Sequence, residues 1–187
     1  QIHLRAGYRW VVDMDLEKFF DRVSHDKLMG EVRKRVPDRR VVQLIHRFLR
    51  SGVMIDDAIH ETEEGTPQGG PLSPLLANLL LDELDRELAR RGHRFVRYAD
   101  DCNIYVRSLQ AGQRVLASLT RFLATRLKLR VNEAKSAVGR PWERKFLGFT
   151  FSRRFRRQVS PKAIKSLKER IREKTGRTLG RRLEVII

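Results

Sequence analysis

Cys102 is the only cysteine in the 187 residues, so neither an internal disulfide nor a cysteine-rich metal site can be built from this stretch. A reducing, cytoplasmic setting is the expectation that follows. Long apolar runs are missing too: no window approaches ~18 uninterrupted apolar residues, which excludes a membrane-spanning helix. The opening residues lack a charged-then-apolar pattern, so no secretory signal is expected, and a chain starting at Gln1 reads as the interior of a longer protein. No Gly-x-x-x-x-Gly-Lys-Ser/Thr run occurs, so any phosphate chemistry is not of the P-loop kind. No His/Cys set has metal-ligand spacing. Internal repeats and low-complexity tracts are absent as well. Six prolines and 41% apolar residues fit a folded domain, and the length allows one core and a small appendage.

What the chain has in excess is positive charge. The net charge is +17, where a small soluble domain usually stays within a magnitude of about 2–8. Thirteen of the Lys/Arg residues fall between Arg153 and Arg182 against only Glu169 and Glu173, which places +11 of the excess there. A polyanion partner, most simply nucleic acid, is the leading inference. A basic solvated tail or an anionic lipid surface is the alternative, and no aromatic-faced amphipathic pattern supports the lipid.

Periodicity supplies an architecture. Residues 8–16 read as a buried strand that carries Asp13 and Asp15 on one face. Ser24 caps a predicted helix with Leu28, Val32 and Val36 inward, and Pro37 stops it. A second helix over 38–50 turns Val41, Leu44, Ile45, Phe48 and Leu49 inward, and a β-ribbon spans 53–63. The stretch Gly65-Thr66-Pro67-Gln68-Gly69-Gly70-Pro71-Leu72-Ser73-Pro74 is too rich in glycine and proline for a regular element. It serves equally well as a rigid elbow or as a loop against which a ligand lies. Ser73-Pro74 reads as cap and first helical residue, opening a helix over 74–91 that packs through Leu75, Leu76, Leu79, Leu80, Leu84 and Leu88 and is closed by Gly92.

A hairpin over 94–107 follows, with Asp100 and Asp101 at its turn. A helix over 110–128 leads to a strand at Ala137-Val138, with Lys135 at the junction. A second hairpin is predicted over Phe146–Phe151, and beyond Ser160-Pro161 a basic helix carries one apolar stripe of Ile164, Leu167 and Ile171. The whole is an α/β (α+β) pattern, an antiparallel sheet with helices on one face.

Adjacent carboxylates at a strand end repel, and a divalent metal, Arg97 or another cation would offset them. An isolated Asp-Asp pair is more often a polar turn. Strand-borne Asp15 meeting Asp100 and Asp101 at neighbouring strand ends changes that balance. Three hard oxygen ligands of this kind suit Mg²⁺, which keeps several waters. They would hold two Mg²⁺ about 3.5–4 Å apart for transfer to a hydroxyl nucleophile with pyrophosphate leaving.

Tyr98-Ala99-Asp100-Asp101, Asp15 with Phe20-Asp21, and Pro67-Gln68-Gly69-Gly70-Pro71-Leu72-Ser73-Pro74 together resemble the palm of reverse transcriptases. Within these the chain is most similar to bacterial group II intron-encoded proteins, which are reverse transcriptases and maturases. The match spans residues 8–155. The resemblance implies a right-hand-polymerase palm over 1–159, with a remnant of the fingers at its N-terminus, and the basic start of a helical thumb over 160–187. It also implies a bacterial cytoplasmic RNA-directed DNA polymerase that uses an RNA template, a DNA primer and dNTPs, with two Mg²⁺ that Mn²⁺ can replace.

By motif it implies Asp15, Asp100 and Asp101 as metal-binding catalytic carboxylates, with Asp13 the competing choice for the first. Lys135 matches the lysine that protonates pyrophosphate, against a plain surface lysine. Phe20 is implied as the gate at the sugar 2′ position, with Phe19 beside it as a substrate-binding candidate that also reads as core. Gln68 and Gly69 resemble the loop against the incoming nucleotide, and Phe146-Leu147-Gly148 the hairpin that grips the primer. Arg153, Arg154, Arg156, Arg157, Lys162, Lys165 and Lys168 are the implied nucleic-acid contacts. Fingers upstream and the rest of a thumb downstream are implied for the longer protein. An RNA-binding maturase assisting intron RNA without polymerisation is a second reading, and a reverse transcriptase of another bacterial lineage a third.

Overall fold

The computed structural model describes residues 1–51, 53–55, 58–60, 64–66 and 71–175, with 53–55 and 58–60 as backbone. The sheet forms around β1 (Trp10–Met14), whose branched valines suit a pleated, buried position. Strand β5 (Asp101–Val106) pairs antiparallel on one side, with Met14 opposite Cys102 and Asp13 opposite Asn103. On the other side β6 (Ala137–Gly139) sets Ala137 opposite Asp13. Strand β4 (Arg94–Tyr98) extends the sheet beyond β5, giving the order β4-β5-β1-β6.

Side chains alternate across a strand, so the two faces differ. Val12, Met14, Cys102, Ile104 and Val106 lie on the helix-covered face and are buried with it. Val11 and Tyr105 on the other face are covered by Leu4 of the short α1 (Ile2–Arg5), and further along the same face stand Asp13 and Asp101.

The covering helices are α2 (His25–Arg35), α4 (Ser73–Arg90) and α5 (Leu109–Phe122). Leu28, Val32, Leu76, Leu80, Leu84, Leu88 and Leu119 fill the space between them and the sheet. Each such burial contributes about 1.5–3 kcal/mol. Ser24 caps α2 as expected, its Oγ accepting the Lys27 N–H. Gly92 ends α4 in the left-handed region at φ +71, with its N–H on the Ala89 carbonyl and the His93 N–H on that of Leu88. Helix α5 lies close against β6, because a Cβ at Gly112 would overlap the Val138 side chain.

Several expectations change in detail. Helix α3 (Arg39–Arg50) packs on α2 through Val42, Ile45, Phe48 and Leu49, while Val41 is 42% and Leu44 67% exposed. The face of α3 turned to α2 is a narrower stripe than its apolar composition suggests. Leu75 is likewise outward, and Leu81 is buried instead, since α4 is gripped by both α2 and β4. Helix α4 begins at Ser73 itself, with Leu72 in the capping position. The helix expected to run to 128 leaves α geometry after Phe122 for one wider turn, Leu123–Leu127, which Lys128 closes at φ +57. Of the expected ribbon, β2 (Val53–Ile55) and β3 (Ala58–His60) pair antiparallel; its remaining residues lie outside those described.

The predicted second hairpin becomes two. Phe146 and Phe149 exchange N–H···O bonds of 2.8 and 2.9 Å around Leu147-Gly148, both at positive φ, the pattern of a two-residue hairpin turn. Strand β7 (Phe149–Phe151) then pairs with β8 (Arg157–Val159). Ser160 Oγ accepts the Ala163 N–H at 3.3 Å and opens α6 (Pro161–Thr175), which buries none of its residues. Its stripe of Ile164, Leu167 and Ile171 is about half exposed.

Candidate active site

Asp15 follows the last residue of β1 and stands where the sheet opens. Its N–H donates to Ser136 Oγ at 3.0 Å, and its carbonyl accepts from Ser136 Oγ at 3.3 Å and from the Asn132 N–H at 2.9 Å. The turn that supplies these groups also carries Lys135, whose Nζ lies 3.7 Å from Asp15 Oδ1.

The hairpin brings the other acids. Tyr98 pairs with Asp101 across the two-residue turn Ala99-Asp100. Ala99 sits at φ +51, where a residue with a Cβ is strained. Arg97, one of the cations expected to offset the Asp pair, turns away: it forks onto Asp85 of α4, with Nε–Oδ1 at 2.8 Å and Nη2–Oδ2 at 2.6 Å. Its Nη1 donates to the Ala99 carbonyl at 2.9 Å and anchors the turn from outside.

A cleft of about 900 Å³ is lined by Asp13, Asp15 and Asp101 on the sheet side and by Lys135, Arg144, Lys145 and Lys162 around them. Glu143 also lines it, whereas Asp100 is half-buried in the turn and does not. Burial pushes the Asp101 carboxyl above its ordinary value; Asp100 and Asp15 add to this, and Lys145 and Lys135 oppose it. Burial likewise raises Asp13, to about 6, against the pull of Arg144 and with further push from Asp101 and Asp15. Among the described residues no three His, Cys, Asp or Glu side chains converge as a ready-made metal cage. The donor set nonetheless suits a hard divalent cation, for it consists of carboxylate oxygens that repel one another, as the mutual push among Asp13, Asp15 and Asp101 shows.

The remaining candidates fall as follows. Phe19 is 2% exposed and belongs to the core, which withdraws it as a substrate contact. Phe20 packs edge-on against it, centroids 5.2 Å apart, in the short turn Phe19–Asp21. Gln68 and Gly69 lie outside the described residues, but the near end of their loop is fixed. Thr66 N–H donates to the Phe20 carbonyl at 2.6 Å, Gly65 N–H to that of Val23 at 2.7 Å, and buried His25 Nε2–H to that of Gly65 at 2.7 Å. Arg153, Arg154 and Arg156 are exposed around the β7–β8 turn, and Arg157 stacks over Phe149 at 5.3 Å. Of the helix α6 lysines, Lys162 lines the acidic cleft, Lys165 pairs with Glu169 at 3.9 Å, and Lys168 is exposed. Arg144, Lys145 and Ser136 were not singled out from sequence. Their signal was adjacency: two precede Phe146-Leu147-Gly148 and one follows Lys135.

An antiparallel sheet with helices on one face and acids at adjoining strand ends on the other defines a right-hand polymerase palm. Residues 1–151 match the reverse transcriptase (RNA-dependent DNA polymerase) family, and the chain belongs to it. Among its relatives are the group II intron-encoded protein LtrA of Lactococcus lactis subsp. cremoris, 44% identical over 81 residues, and protein YkfC of Escherichia coli strain K12, 41% identical over 83. These matches cover 43% and 44% of this chain but only 14% and 22% of the relatives. The retron Ec86 reverse transcriptase of Escherichia coli is 25% identical over 151 residues, covering 78% of this chain and 43% of its own. Among solved structures, Candida albicans telomerase in complex with a fragment of telomeric RNA superposes with a TM-score of 0.65 at 14% identity, over 81% of this chain and 30% of that one. Apo telomerase from Candida tropicalis gives 0.64 at 12%, over 82% and 33%. These two show the shared fold.

Proposed function

We propose that this chain is the catalytic palm of an RNA-directed DNA polymerase of the group II intron type. It joins a dNTP to the 3′-hydroxyl of a DNA primer on an RNA template. The observation that carries the reading is the meeting of Asp15 and Asp101, from adjacent strands, in one open cleft with Lys135 at 3.7 Å from Asp15. Asp15 and Asp101, with Asp100 beside them, are the residues to hold two Mg²⁺, or Mn²⁺ in their place; Asp13 is the alternative to Asp15. Bound metal would supply charge stabilisation at the attacking and leaving oxygens.

The chain's own residues do the rest. In the transfer, the primer hydroxyl gives up its proton to solvent, its oxygen bonds to the α-phosphorus while the bond to the bridging oxygen breaks, and pyrophosphate leaves. Lys135, 68% exposed at its side chain and 3.7 Å from Asp15 Oδ1, is the proposed donor of a proton to the pyrophosphate. Phe20, held through its carbonyl by Thr66, is the proposed gate at the sugar, with Gln68 and Gly69 against the nucleotide. Lys162 and Arg153, Arg154 and Arg156 face the template–primer backbone, with Arg157, Lys165 and Lys168 flanking. The proposed division is a palm over 1–159 and the start of a thumb over 160–187, supported by α6 beginning at Pro161 with no buried residue. A lone, buried Cys102 accords with a reducing cytoplasm.

The test is primer extension on poly(rA)/oligo(dT) by the intact protein that carries this chain. Extension is expected to vanish in Asp100→Asn with Asp101→Asn; retention would make the metal assignment wrong. The exposed arginines around the β7–β8 turn favour a second role in binding intron RNA as a maturase. That affinity should fall steeply with salt and should be abolished by charge reversal at Arg153, Arg154, Arg156 and Arg157.

A further inference from the structure

We propose that Ser136 is a positioning residue for the reaction. Its hydroxyl fixes the main chain of Asp15, and one peptide bond away it sets Lys135 against that carboxylate. The inference rests on the polymerase reading and deepens it.

The sheet ladder gives out just before the residue that needs to be held most firmly. Strand β1 ends at Met14, and its last pairing with β6 is Asp13 opposite Ala137. Asp15 therefore has no strand neighbour on that side. The Ser136 side chain stands in for one, accepting from the Asp15 N–H at 3.0 Å and donating to the Asp15 carbonyl at 3.3 Å. A hydroxyl can do both because it is donor and acceptor at once. Alanine can do neither, and threonine retains both.

Ser136 is itself fixed. It is 8% exposed, and its N–H donates to the Asn132 carbonyl at 2.8 Å. Asn132 closes the turn further: its own N–H reaches the Asp15 carbonyl at 2.9 Å, and its Oδ1 accepts the Lys135 N–H at 3.3 Å. One residue on, Leu16 bridges Val131. The dipeptide Lys135-Ser136 thus grips Asp15 twice, at the peptide through the serine and at the carboxylate through the lysine. A displacement of about 1 Å in such a group can cost on the order of 100-fold in rate.

The experiment compares Ser136→Ala and Ser136→Thr in the intact protein by Mn²⁺ binding (electron paramagnetic resonance), single-turnover extension and Tm. Ser136→Ala should weaken Mn²⁺ binding about ten-fold or more, as loss of an outer support does. It should lower the extension rate with the dNTP KM little changed, and Ser136→Thr should restore both. The proposal is overturned if Ser136→Ala binds Mn²⁺ like wild type. It is also overturned if alanine and threonine variants lose activity only in step with Tm. A Mn²⁺ signal that survives Asp15→Asn with Asp101→Asn would instead refute the metal reading, and this proposal with it.

Discussion

The Arg97 guanidinium and the Asp85 carboxylate form a two-pronged ion pair, 2.8 and 2.6 Å, between the β4–β5 hairpin and helix α4. Arg97 is 10% exposed at its side chain, so the pair is shielded but not dry. Arg97→Lys cannot reproduce the fork. It should cost about 2 kcal/mol in urea unfolding, between the values for exposed and fully buried pairs. Asp85→Asn should cost a similar amount, and the double variant less than the sum.

Ala99 holds φ +51 in the turn between Tyr98 and Asp101. Relief of that strain by Ala99→Gly, less the extra freedom of the unfolded chain, should leave a gain of up to about 1 kcal/mol. Thermal unfolding of the two proteins side by side checks it.

Asp13 gives a pH signature. Burial raises its carboxyl from 3.8 to about 6, so between those values the folded state binds more protons than the unfolded one. Stability from this group is then greatest below pH 4 and is lost as pH rises through 6. Asp13→Asn should remove that component and stabilise the metal-free protein above pH 6 by roughly 1 kcal/mol, a figure reduced for solvent screening. The difference between the two unfolding curves measured in EDTA from pH 4 to 7 is the readout.

At Gly112 the constraint is volume. A methyl group there meets Val138, and Gly112→Ala should destabilise by about 1–3 kcal/mol through overpacking. Pairing it with Val138→Ala should recover part of the loss, which chemical denaturation would show.

The sequence was legible where period and chemistry coincided. Ser24 and Ser160 capped the helices they were expected to cap, Gly92 took its left-handed turn, and Asp15 and Asp101 reached one cleft. What period could not reveal was which side of a helix had a neighbour. Val41 and Leu44 lie on an arc apolar enough for burial, yet α3 packs on α2 by another side and leaves them exposed. Leu81 was not among the inward leucines expected of α4, and it is buried because α4 is clasped by both α2 and β4. Arg97 looked like a counter-ion for the acids beside it, because sequence shows adjacency but not the direction a side chain takes from an edge strand. Ser136 was silent for the same reason. The partner of its hydroxyl, Asp15, lies 121 residues away along the chain, and a serine after a lysine carries no periodic signal.

The centre of the sheet is its earliest strand. β1 waits for β5 at Cys102 and then for β6 at Ala137, so a chain leaving the ribosome cannot close its acidic cleft until most of this segment has emerged. Contacts so distant along the chain slow the search for the native pairing. Until they form, the valines of β1 are exposed to wrong partners. Ser136 adds its two bonds to Asp15 only after Asn132 has made its own, so the support of Asp15 is completed late in the synthesis of this segment.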